Sequence, residues 1–244
     1  MEPEALGTII KRLSEKGTEG MPEELVENMR YLKRQWLNDI RFQVRTNLGE
    51  ECLSWNPSLC RDRVSVDDAT GLSGGAIMLC GPVGTGKTTS AVHILLALAE
   101  HYADAIQNTG GELPDADDYA VILKAPAMFR KMSQLFGNGG EESNALIDRC
   151  SHARVLLVDD LGTEKGTDDA CAAFDEIMDT RYQGKRNHTT IVCANIAPGE
   201  WGEYRGGKFV RLADRWRQDK HCIVLKGASM RQDNREAAWL EEFK

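Results

Sequence analysis

Apolar residues follow two regimes along the 244-residue chain. Over the first 46 residues they recur at helical spacing. Leu6, Ile9, Ile10 and Leu13 share one face of a first helix, and Gly17 and Gly20 interrupt it. Pro22 followed by Glu23 and Glu24 has the make-up of a helix first turn. On the helix it opens, Leu25, Met29, Leu32, Trp36 and Ile40 return every three or four residues. Two short amphipathic helices make a poor core by themselves. They are therefore expected to dock, either on the main body of this chain or on a partner. For a partner, the stripe Leu32, Trp36 and Ile40 suits helix-in-groove recognition. Residues 47–75, with Gly49, Pro57, Asp67-Asp68 and Gly74-Gly75, read as a connector.

From residue 76 onward, short continuous apolar runs alternate with amphipathic stretches. Ile77–Cys80, Tyr119–Leu123, Val155–Val158, Thr190–Ala194 and Cys222–Leu225 predict five strands. Helical patterns lie between them over 88–102, 126–136, 143–151, 168–183 and 208–217. Such alternation builds a parallel sheet with helices on both faces, an α/β domain over 76–244. Asn108–Asp118 and Gly137–Gly140 read as loops.

Composition narrows the picture modestly. The formal net charge is −8, which gives no overall pull toward nucleic acid. The distribution is uneven, with 17 acidic against 6 basic residues over 100–180 and 8 against 13 over 181–244. A basic face on the C-terminal part and ordinary solvated charge both fit that count. None of the seven cysteines forms a C-x-x-C pair, and Cys80 and Cys193 sit inside apolar runs. Reduced, buried thiols are expected, in a cytoplasmic setting. The acidic start Met1-Glu2-Pro3-Glu4 has no apolar signal core, and no apolar run approaches the ~20 residues that span a bilayer. A membrane partner is not expected.

The chemistry enters at Gly81-Pro82-Val83-Gly84-Thr85-Gly86-Lys87-Thr88, which fits G-x-x-x-x-G-K-[ST] at every fixed position. A predicted strand runs into it and a predicted helix runs out of it, the setting a phosphate-binding loop requires. The glycines let backbone N–H groups turn inward onto phosphate oxygens. Lys87 adds a full positive charge and the helix N-terminus a partial one. Thr88 supplies a hydroxyl for Mg²⁺, and Thr89 extends the nucleotide-binding set. The third strand ends in Asp159-Asp160. An acid at that end can reach the metal that Thr88 holds. Asp159 is read as the metal carboxylate and Asp160 as the group that polarises the attacking water. Asn195 ends the fourth strand. If that strand lies between the first and third, Asn195 is placed to bond the attacking water or the γ-phosphate. Arg211-Leu212-Ala213-Asp214-Arg215 and Gly227-Ala228-Ser229-Met230-Arg231 follow. Arginines near a γ-phosphate offset the charge that builds during transfer.

In this order the pieces resemble the AAA+ ATPases. More narrowly they resemble the replicative helicase loaders of the DnaC/DnaI type and their relative, the IstB transposition ATPase. The narrower likeness rests on Asp159-Asp160-Leu161-Gly162-Thr163-Glu164, Arg181-Tyr182 and Ser229-Met230-Arg231, and it covers about residues 74–231. The resemblance implies a three-layer P-loop fold with a five-stranded parallel sheet, ATP and Mg²⁺ as cofactors, and slow, switch-like hydrolysis. It implies Asn195 as sensor 1, Arg215 as an arginine finger acting on a neighbouring subunit, and Arg231 as sensor 2. It places single-strand-binding residues near Arg130, Lys131 and Phe136. The implied partners are a replicative hexameric DNA helicase, single-stranded DNA and further copies of the chain in a ring or spiral. The implied activity is loading of that helicase; the alternative is an IstB-like ATPase that prepares target DNA for a transposase. Two features depart from the wider pattern. Many AAA+ proteins carry Asp-Glu where this chain has Asp159-Asp160. After Arg231 there is room for one helix, about 232–243, and a full helical lid does not fit.

Overall fold

Among the described residues, five strands lie side by side in the order β2–β3–β4–β1–β5, every neighbouring pair parallel. They are β1 Gly75–Cys80, β2 Ala120–Lys124, β3 Val155–Leu161, β4 Thr189–Ala194 and β5 Cys222–Val224. The structure is a computed structural model. It describes residues 22–54, 74–135, 141–164, 166–184, 187–197, 199–200, 203–204, 214 and 222–226. The helices are α1 Glu23–Asn47, α2 Lys87–Asn108, α3 Ala125–Leu135, α4 Glu141–His152 and α5 Asp168–Gln183. A helical turn at Ala116–Tyr119 interrupts the stretch expected to be loop.

The near-continuous apolar strands are explained by burial on both faces. Ile77, Leu79, Ile122, Leu157 and Ile191 pack on one side with Ile94, Leu95 and Leu98 of α2. Their alternate neighbours Met78, Val121, Leu156, Val158 and Val192 pack on the other side with α3, α4 and α5. The result is the three-layer α/β arrangement the alternation predicts. Helix α5 begins where Thr167 caps it, the Thr167 hydroxyl accepting from the Ala170 N–H at 3.3 Å. Near its end Arg181, 2% exposed, donates to the carbonyls of Cys150, Ala153 and Thr189 and to the Thr190 hydroxyl. It thereby ties the end of α4 and the start of β4 to α5. Burial lowers its pKa to about 10.

Strand β3 runs three residues past the apolar run that predicted it. Its pairing with β4 shifts register between Val158 and Leu161, where Leu161 again faces Ala194. The bulge lies at Asp159-Asp160, and Asp160 has φ 56°, the one positive-φ residue other than glycine among the described residues.

The expectation for Trp36 and Ile40 is corrected here. Both are buried within the chain, 6% and 0% exposed, so neither is available to a partner's groove. Trp36 meets Tyr119 edge-on at 4.8 Å between ring centroids, and its indole N–H donates to the Pro114 carbonyl at 2.7 Å. Helix α1 lies along α2, with Lys33 paired to Asp104 and Gln107 donating to the Met29 carbonyl. Of the three stripe residues only Leu32 stays outside, 52% exposed beside the exposed Tyr31. Among the described residues, no helix is long and apolar enough to cross a membrane.

Candidate active site

The phosphate-binding loop leaves the C-terminal end of β1 and turns into α2. Gly81 stands where it must, because its backbone has φ 150° and a Cβ there would overlap the Leu225 carbonyl oxygen. That close approach seats β5 against the base of the loop, where the Leu225 N–H donates to the Cys80 carbonyl at 2.7 Å. On the other side the Gly81 N–H donates to the Ala194 carbonyl at 3.3 Å. Thr85 is buried and its hydroxyl donates to the Pro82 carbonyl at 2.9 Å, which holds the loop's curve.

Lys87 lies folded under the loop. Its Nζ donates to the carbonyls of Gly81 at 2.8 Å and Pro82 at 2.7 Å. Burial lowers its pKa, and the nearby Cys193, Asp159 and Asp160 act in the opposite direction. One residue on, the Thr88 hydroxyl donates to both oxygens of Asp159, at 2.9 and 3.2 Å. A hydroxyl and a carboxylate brought together this way are the oxygen donors that suit a hard divalent cation.

Asp159 is 3% exposed. Burial raises its pKa above the ordinary carboxylate range, and the adjacent Asp160 pushes the same way. Hydrogen bonds from Thr88 and Cys193 offset part of this. Cys193, on β4, is a contributor that sequence reasoning missed. Within an apolar strand nothing marks one thiol as the one facing the acid. β4 does lie between β1 and β3, and Asn195 follows its last residue at the same end of the sheet. Asn195 is solvent-exposed there.

The loop, Thr88, Asp159, Asp160 and Asn195 therefore meet along three adjacent strand ends. The IstB-like ATP-binding protein family model matches residues 73–238. The chain belongs to that family. A curated relative, an insertion sequence IS21 putative ATP-binding protein of Pseudomonas aeruginosa, is 24% identical over 222 residues, 85% of this chain and 76% of the relative. Among solved structures, a replication initiator DnaA bound to AMPPCP and single-stranded DNA has a TM-score of 0.50 at 19% identity. The match covers 68% of this chain and spans only 46% of that DnaA chain. A DnaI structure has a TM-score of 0.49 at 20% identity, covering 76% of this chain and 94% of that one.

As a member of this family the chain is an ATP-binding protein and an ATPase. Arg130 and Lys131 are exposed on α3, whose opposite side buries Met128, Phe129 and Met132. Phe136, Arg215 and Arg231 lie outside the described residues. Glu164, quoted in the sequence only as part of a run, is buried just beyond the two acids, with 3% exposure.

Proposed function

We propose that this protein is an ATP-dependent switch that loads a replicative hexameric helicase onto single-stranded DNA. In this reading Mg²⁺ and ATP bind at Lys87, Thr88 and Asp159, and Thr89 completes the nucleotide set. Asp160 polarises the attacking water and Asn195 senses the γ-phosphate. Arg215 from a neighbouring copy completes the site, and Arg231 acts from within the same copy. Copies assembled in this way hold DNA along a shared ring or spiral. The observation that carries the nucleotide half is the Thr88–Asp159 contact beside Lys87, with Asp160 and Asn195 at the adjoining strand ends. The loader half rests on the run Asp159-Asp160-Leu161-Gly162-Thr163-Glu164, with Arg211–Arg215 and Ser229–Arg231 behind it. A fold likeness to a DnaA solved with single-stranded DNA supports DNA as a partner.

A second reading has its own support. The likeness to the IS21 ATP-binding protein runs over 85% of the chain and favours an ATPase that prepares target DNA for a transposase. One experiment separates the two. The full chain, loaded with ATP, is used to capture a replicative helicase and a transposase in parallel, each with single-stranded DNA present. The loader reading expects ATP-dependent capture of the helicase and its transfer to DNA. Capture of the transposase alone establishes the second reading, and capture of neither overturns both.

A further inference from the structure

The run after the two acids ends in a glutamate that the nucleotide site leaves unexplained. Glu164 is 3% exposed, and taking a carboxylate out of water is costly unless hydrogen bonds replace the solvent. Both of its oxygens are engaged. The Gly162 N–H donates to Oε2 at 2.6 Å, and the Tyr204 phenol donates to Oε1 at 3.0 Å. Gly162 has φ 103°, and a Cβ there would lie 2.6 Å from Ile196 Cδ1. The turn after β3 is thus pressed against the residue that follows Asn195. Tyr204 reaches Glu164 from further along the same segment. There the Glu200 carboxylate accepts from the Ala197 N–H at 3.1 Å, and the Glu200 carbonyl accepts from the Tyr204 N–H at 3.1 Å.

At the other end of this turn stands Asp160, at φ 56°. A non-glycine residue persists in that region only when its surroundings hold it there. Its carbonyl accepts from the Thr163 hydroxyl at 2.8 Å and the Thr163 N–H at 3.3 Å. Glu164 closes the same turn one residue later. We propose that Glu164, latched by Tyr204, is a positioning residue for ATP hydrolysis. It holds the turn that aims Asp160 and indexes that turn to the segment carrying Asn195. The inference rests on Asp160 being the group that polarises the attacking water.

The test compares Glu164→Gln, Tyr204→Phe, Asp160→Asn and the Tyr204→Phe/Asp160→Asn double variant in the full chain. Steady-state hydrolysis, equilibrium ATP binding and thermal unfolding are measured on each. Tyr204→Phe removes one oxygen and keeps the ring, so it serves where Glu164→Gln fails to fold. Misplacement of a reacting group by about an ångström can cost on the order of 100-fold. The latch predicts kcat lowered about 10- to 100-fold in either single variant, with ATP affinity within about twofold of the parent. In the Asp160→Asn background Tyr204→Phe should have no further effect, because both act through one group. Unchanged kcat in both latch variants beside an inactive Asp160→Asn overturns the latch alone. Loss of affinity, kcat and melting temperature together also overturns it, leaving a structural prop. Parental turnover in Asp160→Asn overturns the underlying assignment of Asp160.

Discussion

Asp159 and Asp160 are neighbours in sequence with different physical problems. Asp159 is buried beside a second acid, and both burial and that neighbour disfavour its charged form. A carboxyl whose folded pKa lies above its unfolded value takes up a proton on folding. Its contribution therefore makes the nucleotide- and metal-free protein less stable as pH rises from the ordinary carboxylate value through the raised one. Asp159→Asn should raise the melting temperature of that ligand-free protein at neutral pH and flatten the dependence over weakly acidic pH. Under the proposed metal assignment the same change should also lower ATP hydrolysis at least about 100-fold, since a metal ligand contributes several kcal/mol to such a transition state. Thermal scans across pH beside a phosphate-release assay check both halves. Asp160 carries a backbone constraint instead. Aspartate is enriched several-fold among non-glycine residues at positive φ, which glutamate is not. Asp160, standing where many AAA+ proteins carry glutamate, suits the bulge at this position.

Among the elements, α1 shows how far a sequence pattern reaches. Its three-to-four spacing gave a helix with an apolar side, but periodicity does not say what covers that side. Tyr119, Tyr102 and Pro114 cover it, and they come from parts of the chain about 66 to 83 residues away from Trp36. Trp36→Ala should therefore act on stability, by about 3–5 kcal/mol, and a denaturant titration measures it. An unchanged midpoint would mean the seam contributes little. The strand–loop–helix setting of Gly81–Thr88 was legible in full, because a phosphate-loop pattern demands fixed residue types at fixed spacing between a strand and a helix. The end of β3 was not. Acids interrupt its apolar run, and only the resumed pairing of Leu161 with Ala194 shows that the strand continues. Cys193 and Glu164 were illegible as site residues for a related reason. A buried thiol and a buried turn acid acquire their roles from strands and segments that meet only in the fold.

For the whole molecule, the sheet order brings the loop, Asp159, Asp160 and Asn195 of the proposed nucleotide site to one end, on β1, β4 and β3, with β5 braced against the loop. Arg215 is assigned to the proposed assembly. Arg215→Ala should leave ATP affinity within about twofold while turnover that depends on protein concentration falls about 10³-fold or more. Mixing it with Lys87→Ala, which cannot bind ATP but keeps its arginine, should restore part of the turnover. Equal inactivity of the mixture would remove the role in trans. The aromatic seam has a separate consequence, for how the chain can be cut. A piece starting beyond Asn47 would leave Tyr119 and Tyr102 without the cover of Trp36, and a peptide of residues 23–47 would carry the matching apolar face. The two pieces carry complementary faces, so adding the 23–47 peptide to the remaining piece should restore its solubility, and a sedimentation assay with and without the peptide checks it.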